Sequence, residues 1–137
     1  MTTALIEMLA ALPAVAWLVA AATRRSRGRP IAAFVRTTIL AVLLSFVLAH
    51  INRWFDLWKA HPYFPSGHET FAACMATALV VLDRRTLVPM LALLALLGYL
   101  LVRMGWHGRF EVVAGAALGA AVTLAVVQVN RALTRTP

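Results

Sequence analysis

Apolar residues gather along this chain in five runs, at about residues 2–23, 31–51, 67–82, 87–104 and 111–130, with the polar residues collected between them. A membrane-crossing helix needs about 20 mostly apolar residues, so five would use roughly 100. The pattern predicts an all-α integral membrane bundle of about five transmembrane helices, built as one membrane domain over residues 1–137. The first run carries Glu7 and Pro13 and has no Lys or Arg before it. A secretory signal starts with a positive segment; here the charges follow, in TRRSRGRP (23–30). That order predicts a retained span with its N-terminus outside. The second run opens after Pro30 and carries Arg36, which can snorkel from near the cytoplasmic end. Glu7 and Arg36 could pair with one another or lie at span edges. The fifth run holds Gly115 and Gly119, a small-xxx-small spacing that lets helices approach closely.

Composition agrees with the pattern. Of 137 residues, 62% are apolar and 13% charged, against about 45–50% and about 25% in soluble domains. So small a body cannot bury that much apolar surface in water. A soluble domain, an extramembrane catalytic domain and a separate cofactor-binding module are thereby excluded. The formal charge of +8 points to topology rather than to nucleic acid. Arg24, Arg25, Arg27 and Arg29 follow the first run, Arg84 and Arg85 the third, and Arg131 and Arg135 the last. Basic residues in short loops mark the cytoplasmic side, and loops this short do not build the single basic face that a nucleic acid requires. Cys74 is the one cysteine, so no disulfide forms within the chain and the thiol reads as a small packing residue.

With the basic stretches cytoplasmic, the aromatic-rich segment NRWFDLWKAHPYFPS (52–66) and residues 104–110 both fall on the other face. All four histidines (His50, His61, His68 and His107) lie in or beside those segments, as do Arg53, Asp56, Lys59, Glu69, Arg103, Arg109 and Glu111. The reactive chemistry therefore gathers at one side of the membrane. Pro65-Ser66-Gly67-His68-Glu69 opens the third span, where backbone N–H groups lack helical partners and can bind an anion. Ser66 with Glu69 also fits a capping box, which only starts a helix. His68 beside a bound phosphate could donate a proton to a leaving oxygen. His107 and Glu111 are four apart, so a helical turn would put them on one face. A carboxylate on one imidazole nitrogen fixes the tautomer and frees the other as a nucleophile. Equally, Glu111 could serve the helix start and His107 the interface. Lys59, Arg53, Arg103 and Arg109 could neutralise a phosphoryl group or anchor the interface.

FPSGH (64–68), then Arg103, His107 and Glu111 spaced R-x3-H-x3-E, then AGAALGA (114–120) together resemble the type 2 phosphatidic acid phosphatase (PAP2) superfamily over roughly residues 50–120. The resemblance implies metal-independent hydrolysis of a phosphate ester through a phosphohistidine, with no cofactor. It makes His107 the nucleophile, Glu111 its orienting acid and His68 the general acid for the leaving group. Ser66, Gly67, Lys59 and Arg103, with Arg53, would bind the phosphate. The chain departs from the family pattern in three places. The first motif, K-x6-R-P, is not present as such; its nearest match is Arg53, seven intervening residues and His61-Pro62, with Lys59 unaligned. In the third motif, S-R-x5-H-x3-D, Leu101 holds the arginine's register and Arg103 lies two residues nearer His107. Glu111 replaces the family's aspartate.

The expected substrate is a lipid phosphate or diphosphate, with polyprenyl diphosphate, phosphatidylglycerol phosphate and phosphatidic acid all suited. The expected setting is a bacterial inner membrane, with the site facing periplasm or exterior and the C-terminus cytoplasmic. The expected partners are membrane lipids; the sequence does not fix oligomeric state and leaves open a second copy of the chain that would complete a lipid-facing wall. A deprotonated His107 beside a protonated His68 predicts a bell-shaped pH profile. Two other classes stay open: a non-catalytic lipid-binding or interaction protein, and a membrane protein that uses its histidines for haem or metal.

Overall fold

The computed structural model describes residues 2–26, 31–55 and 64–133. Among them five helices follow in order: α1 (Thr2–Ser26), α2 (Ala32–Phe55), α3 (Gly67–Leu82), α4 (Leu87–Arg103) and α5 (Arg109–Leu133), with a 3-10 turn at Arg84–Thr86 between α3 and α4. Four stretches, Ala4–Arg24, Ala32–Ile51, Arg84–Arg103 and Arg109–Leu133, are long and apolar enough to cross a membrane. The helices α1, α2 and α5 run past the apolar runs that announce them, because backbone hydrogen bonding continues into the polar ends.

The short helix is α3, with 16 residues, or about 24 Å against a hydrocarbon core of about 30 Å. It is also the central one, packed against α1, α2, α4 and α5. Thr70, Ala72, Ala73 and Cys74 on it are all but inaccessible, whereas Leu18, Val19, Leu43 and Val113 on the outer helices face outward. Lipid tails are as apolar as leucine, so close backbone approach rather than apolar burial holds such helices together. Gly115 and Gly119 provide that approach. A Cβ at Gly115 would lie 2.7 Å from the Ser66 carbonyl oxygen, and one at Gly119 would overlap the Thr70 carbonyl oxygen.

Several polar groups inside the bundle are joined in pairs. The Trp17 indole N–H donates to Thr38 Oγ1 at 3.1 Å, linking α1 to α2, and the Trp17 ring stacks on Phe34. The Cys74 thiol donates to Ser45 Oγ at 3.2 Å, linking α3 to α2. Arg36 and Glu7 do not meet. Arg36 donates to Asn130 Oδ1 at 3.0 Å, tying α2 to α5, while Glu7 lies a bundle-length away at His68. The antiparallel course of α1 and α2 separates them: α1 begins at the face where α2 ends.

At its start, Ser66 caps α3, with its carbonyl accepting from the Thr70 N–H at 2.8 Å. At the other end Asp83 turns the chain, its Oδ1 accepting from the Arg85 N–H at 3.0 Å. The helices α1, α3 and α5 therefore begin at one face of the bundle, and α2 and α4 return to it.

Candidate active site

The starts of α3 and α5 and the end of α4 meet at that face. The Ser66 N–H donates to the Glu111 carbonyl at 2.9 Å, so the first turns of α3 and α5 are bonded backbone to backbone. Without a side chain at Gly115 the two turns can lie that close. The end of α4 is set by Gly105, whose φ of 72° is readily available only to glycine. Its N–H donates to the Val102 carbonyl and that of Trp106 to the Leu101 carbonyl, the pairing of a Schellman motif. This turn releases the chain from α4 and delivers Trp106 and His107 over the start of α3.

Glu111 serves both the helix and the histidine. Its Oε2 accepts from the Gly108 N–H at 2.6 Å, which caps α5, and lies 3.3 Å from His107 Nδ1. That contact occupies Nδ1 and leaves His107 Nε2 open. The His68 ring lies 6.4 Å from the His107 ring, centroid to centroid, at 61°, and Trp106 packs edge-on against His68 at 5.6 Å. His68 has a carboxylate too: Glu7 Oε1 of α1 is 3.2 Å from its Nε2. Each of the two facing imidazoles is thus held through one nitrogen by a glutamate, with the other nitrogen open.

Two adjoining cavities flank the pair. One, of about 340 Å³, is lined by Glu7, His68, Phe46 and Phe71. The other, of about 330 Å³, is lined by Phe64, Trp106, His107 and Glu111. His50 and Gly67 line both. A Cβ at Gly67 would meet nothing within 4 Å, so the space beside that glycine is the cavity itself. The neighbouring N–H groups of Gly67 and His68 belong to a first helical turn and have no intrahelical partner.

The remaining predicted residues distribute unevenly. Ser66 is completely buried and lines neither cavity. Its hydroxyl accepts from the Glu69 N–H at 3.4 Å, and its N–H and carbonyl are engaged as described. The capping box is half made, because the Ser66 N–H goes to Glu111 and the Glu69 side chain points elsewhere. Arg103 ends α4 on its far side, where it lines a groove with Glu69 and Arg109. The two-residue offset from the family's arginine register has this consequence: α4 stays helical through Arg103, so the side chain is turned away from His107. Arg53 belongs to the last turn of α2. Lys59 and His61 lie outside the described residues. No three His, Cys, Asp or Glu side chains converge as a metal-ligand set among the described residues.

Sequence reasoning noted Glu7 in the first span and His50 at the reactive face but gave neither a role in the site, and it passed over the turn glycine. For Glu7 the signal was an ionisable residue inside an apolar run, which by itself suggests a functional position. For Gly105 it was a glycine just past the last helical residue.

The model of a family described as the PAP2 superfamily matches residues 45–135. That stretch holds the end of α2, all of α3 and α4, and α5, and leaves α1 with Glu7 outside. No curated protein and no solved structure gives a significant match.

Proposed function

This chain belongs to the PAP2 superfamily, and from that membership we propose that it hydrolyses a lipid phosphate or diphosphate through a phosphohistidine at His107. The observation that carries the proposal is the facing pair of imidazoles, each held by a glutamate, beside the open first turn of α3.

The chemistry follows from which nitrogens are open. Glu111 accepts the Nδ1–H of His107, so Nε2 bears the lone pair and attacks phosphorus. The bond from phosphorus to the lipid oxygen breaks, and that oxygen takes a proton from His68. Glu7 occupies His68 Nε2, so Nδ1 delivers this proton. In the second half-reaction water attacks the phosphohistidine, its proton returns to His68 Nδ1, and phosphate leaves with His107 restored. The N–H groups of Gly67 and His68, aligned with the helix dipole, suit the phosphoryl oxygens. Lys59, from the segment between α2 and α3, and Arg53 of α2 would add positive charge. Glu7 acts through His68 and is a positioning residue. The arginines at the opposite face (Arg24, Arg84, Arg85 and Arg131) support a periplasmic or exterior site.

The test is phosphate release, in detergent with EDTA present, from a panel of phosphatidic acid, phosphatidylglycerol phosphate and polyprenyl diphosphate. The expected result is release by the wild-type protein, none by His107→Ala, and an acid-labile phosphoryl label on His107 in quenched reactions. Release that persists in His107→Ala, or a folded wild-type protein inactive on every substrate, would overturn the proposal. The kcat/KM should fall on both sides of a pH optimum, since one imidazole must be neutral and the other protonated.

A further inference from the structure

Beside α3, and on the side away from the two histidines, α4 and α5 leave a groove of about 780 Å³. Its walls are apolar, including Leu91, Leu94, Tyr99 and Val113, and it shares no lining residue with either histidine cavity. Glu69 forms part of its floor. That residue is 2% exposed, and its Oε2 has no hydrogen-bond partner among the described residues. Gly98 lets α4 pack closely over it: a Cβ there would stand 2.7 Å from Val112 Cγ1 and 3.7 Å from Glu69 Oε2. A buried carboxyl without a partner is costly, and the groove is the direction from which a partner can come.

The upper end of the groove carries Arg103 and Arg109, both exposed. Arg103 is five residues beyond Gly98 on the same helix, which places it about 7.5 Å nearer the membrane surface. The headgroup and ester layer on each side of a bilayer has about that depth, roughly 5–7 Å. Two cations at phosphate level, a carboxyl at ester level and an apolar channel below follow the order of groups in a diacyl phospholipid.

We propose that this groove is a second, non-catalytic lipid site that takes an ester-linked anionic glycerophospholipid. The phosphate meets Arg103 and Arg109, an acyl chain lies along the α4–α5 wall, and an ester carbonyl accepts a hydrogen bond from the Glu69 carboxyl, whose acid form has one O–H to donate. The site holds lipid whether or not the histidine pair is catalytic.

Wild-type protein is reconstituted in nanodiscs of diacyl phosphatidylglycerol or of its dialkyl-ether analogue, which lacks ester carbonyls. Each sample is treated with the membrane-permeant reagent dicyclohexylcarbodiimide, and modification of Glu69 is followed by peptide mass. The expected result is modification about five-fold slower in the ester lipid, the factor one net hydrogen bond supplies. The difference should disappear in the double variant Arg103→Ala/Arg109→Ala. Equal rates in the two lipids would overturn the proposal. So would a Glu69 that resists the reagent in both lipids and in detergent, since the carboxyl would then be closed off by a partner within the protein. Phosphate release has no part in this measurement, so its outcome is separate from that of the catalytic proposal.

Discussion

Replacing Gly115 by alanine tests how the bundle sets the distance between its two histidines. The added methyl would stand 2.7 Å from the Ser66 carbonyl oxygen and 3.1 Å from both the Ser66 nitrogen and Thr70 Oγ1. Ordinary contact begins near 3.4 Å, so the first turns of α3 and α5 must part by about 0.7 Å, and the obstacle is backbone rather than a movable side chain. The Ser66 to Glu111 backbone bond, 2.9 Å long, lies between the same two turns and would stretch beyond bonding range. His68 rides on α3 and His107 is held by Glu111 of α5, so their separation changes with it. A displacement of about 1 Å in a catalytic arrangement can cost 100-fold. Overpacking of this kind costs about 1–3 kcal/mol in stability. The assay is phosphate release from a lipid phosphate in detergent, alongside thermal unfolding followed by helical circular dichroism. Activity should fall by about 10- to 100-fold, with helix content kept and Tm lowered. Gly67→Ala is the control, because a methyl there meets nothing within 4 Å. It should leave Tm unchanged and weaken only substrate binding. Wild-type activity and Tm in Gly115→Ala would refute the claim that this contact sets the site.

Three more perturbations separate the roles assigned above. His68→Ala should lower turnover of alkyl phosphates by about 100- to 10,000-fold, the usual contribution of general acid–base catalysis. It should affect nitrophenyl phosphate far less, because that leaving group departs without a proton. Glu7→Ala should show the same leaving-group selectivity with a smaller loss, about ten-fold, in kcat more than in KM, with partial rescue by Glu7→Gln. A uniform loss on both substrate types would assign Glu7 a structural role instead. Away from the site, Trp17→Phe removes the bond to Thr38 and keeps the ring that stacks on Phe34. Thr38 retains its bond to the Phe34 carbonyl, so the cost should be about 1 kcal/mol, read as a lowered Tm with unchanged kcat.

The helices could be read from hydropathy because a membrane allows few other solutions: every span must satisfy its own backbone and face lipid with apolar atoms. Interior α3 was visible by the same rule, although its 16 residues fall short of a full span. FPSGH and the His107–Glu111 spacing pointed to the two histidines and to one of their glutamates. What sequence spacing could not supply was the partner brought from a distance. Glu7 and His68 are 61 residues apart, and their contact depends on α1 packing parallel to α3. Arg36 and Asn130, 94 apart, meet for a similar reason. The direction of Arg103 was likewise hidden, since it depends on where α4 unwinds, and a shift of two residues reverses the side that a helical residue faces. The fate of Ser66 was obscured by its own versatility: a serine before a helix can cap, or bind a ligand, and only the burial against α5 separates these uses.

The alternating course of the five helices has an electrical consequence. Among the described residues three helices, α1, α3 and α5, start at the face with the histidines, while α2 and α4 finish there. A helix start carries about half a positive elementary charge and a helix end about half a negative one. These five helices by themselves therefore leave that face with an excess of about half a positive charge. The opposite face carries the matching deficit, and there the side chains of Arg36, Arg84, Arg85 and Arg131 supply positive charge. A phosphate approaching the histidines meets a field that an odd number of alternating helices generates at the face where the first of them starts, before a single cationic side chain is counted.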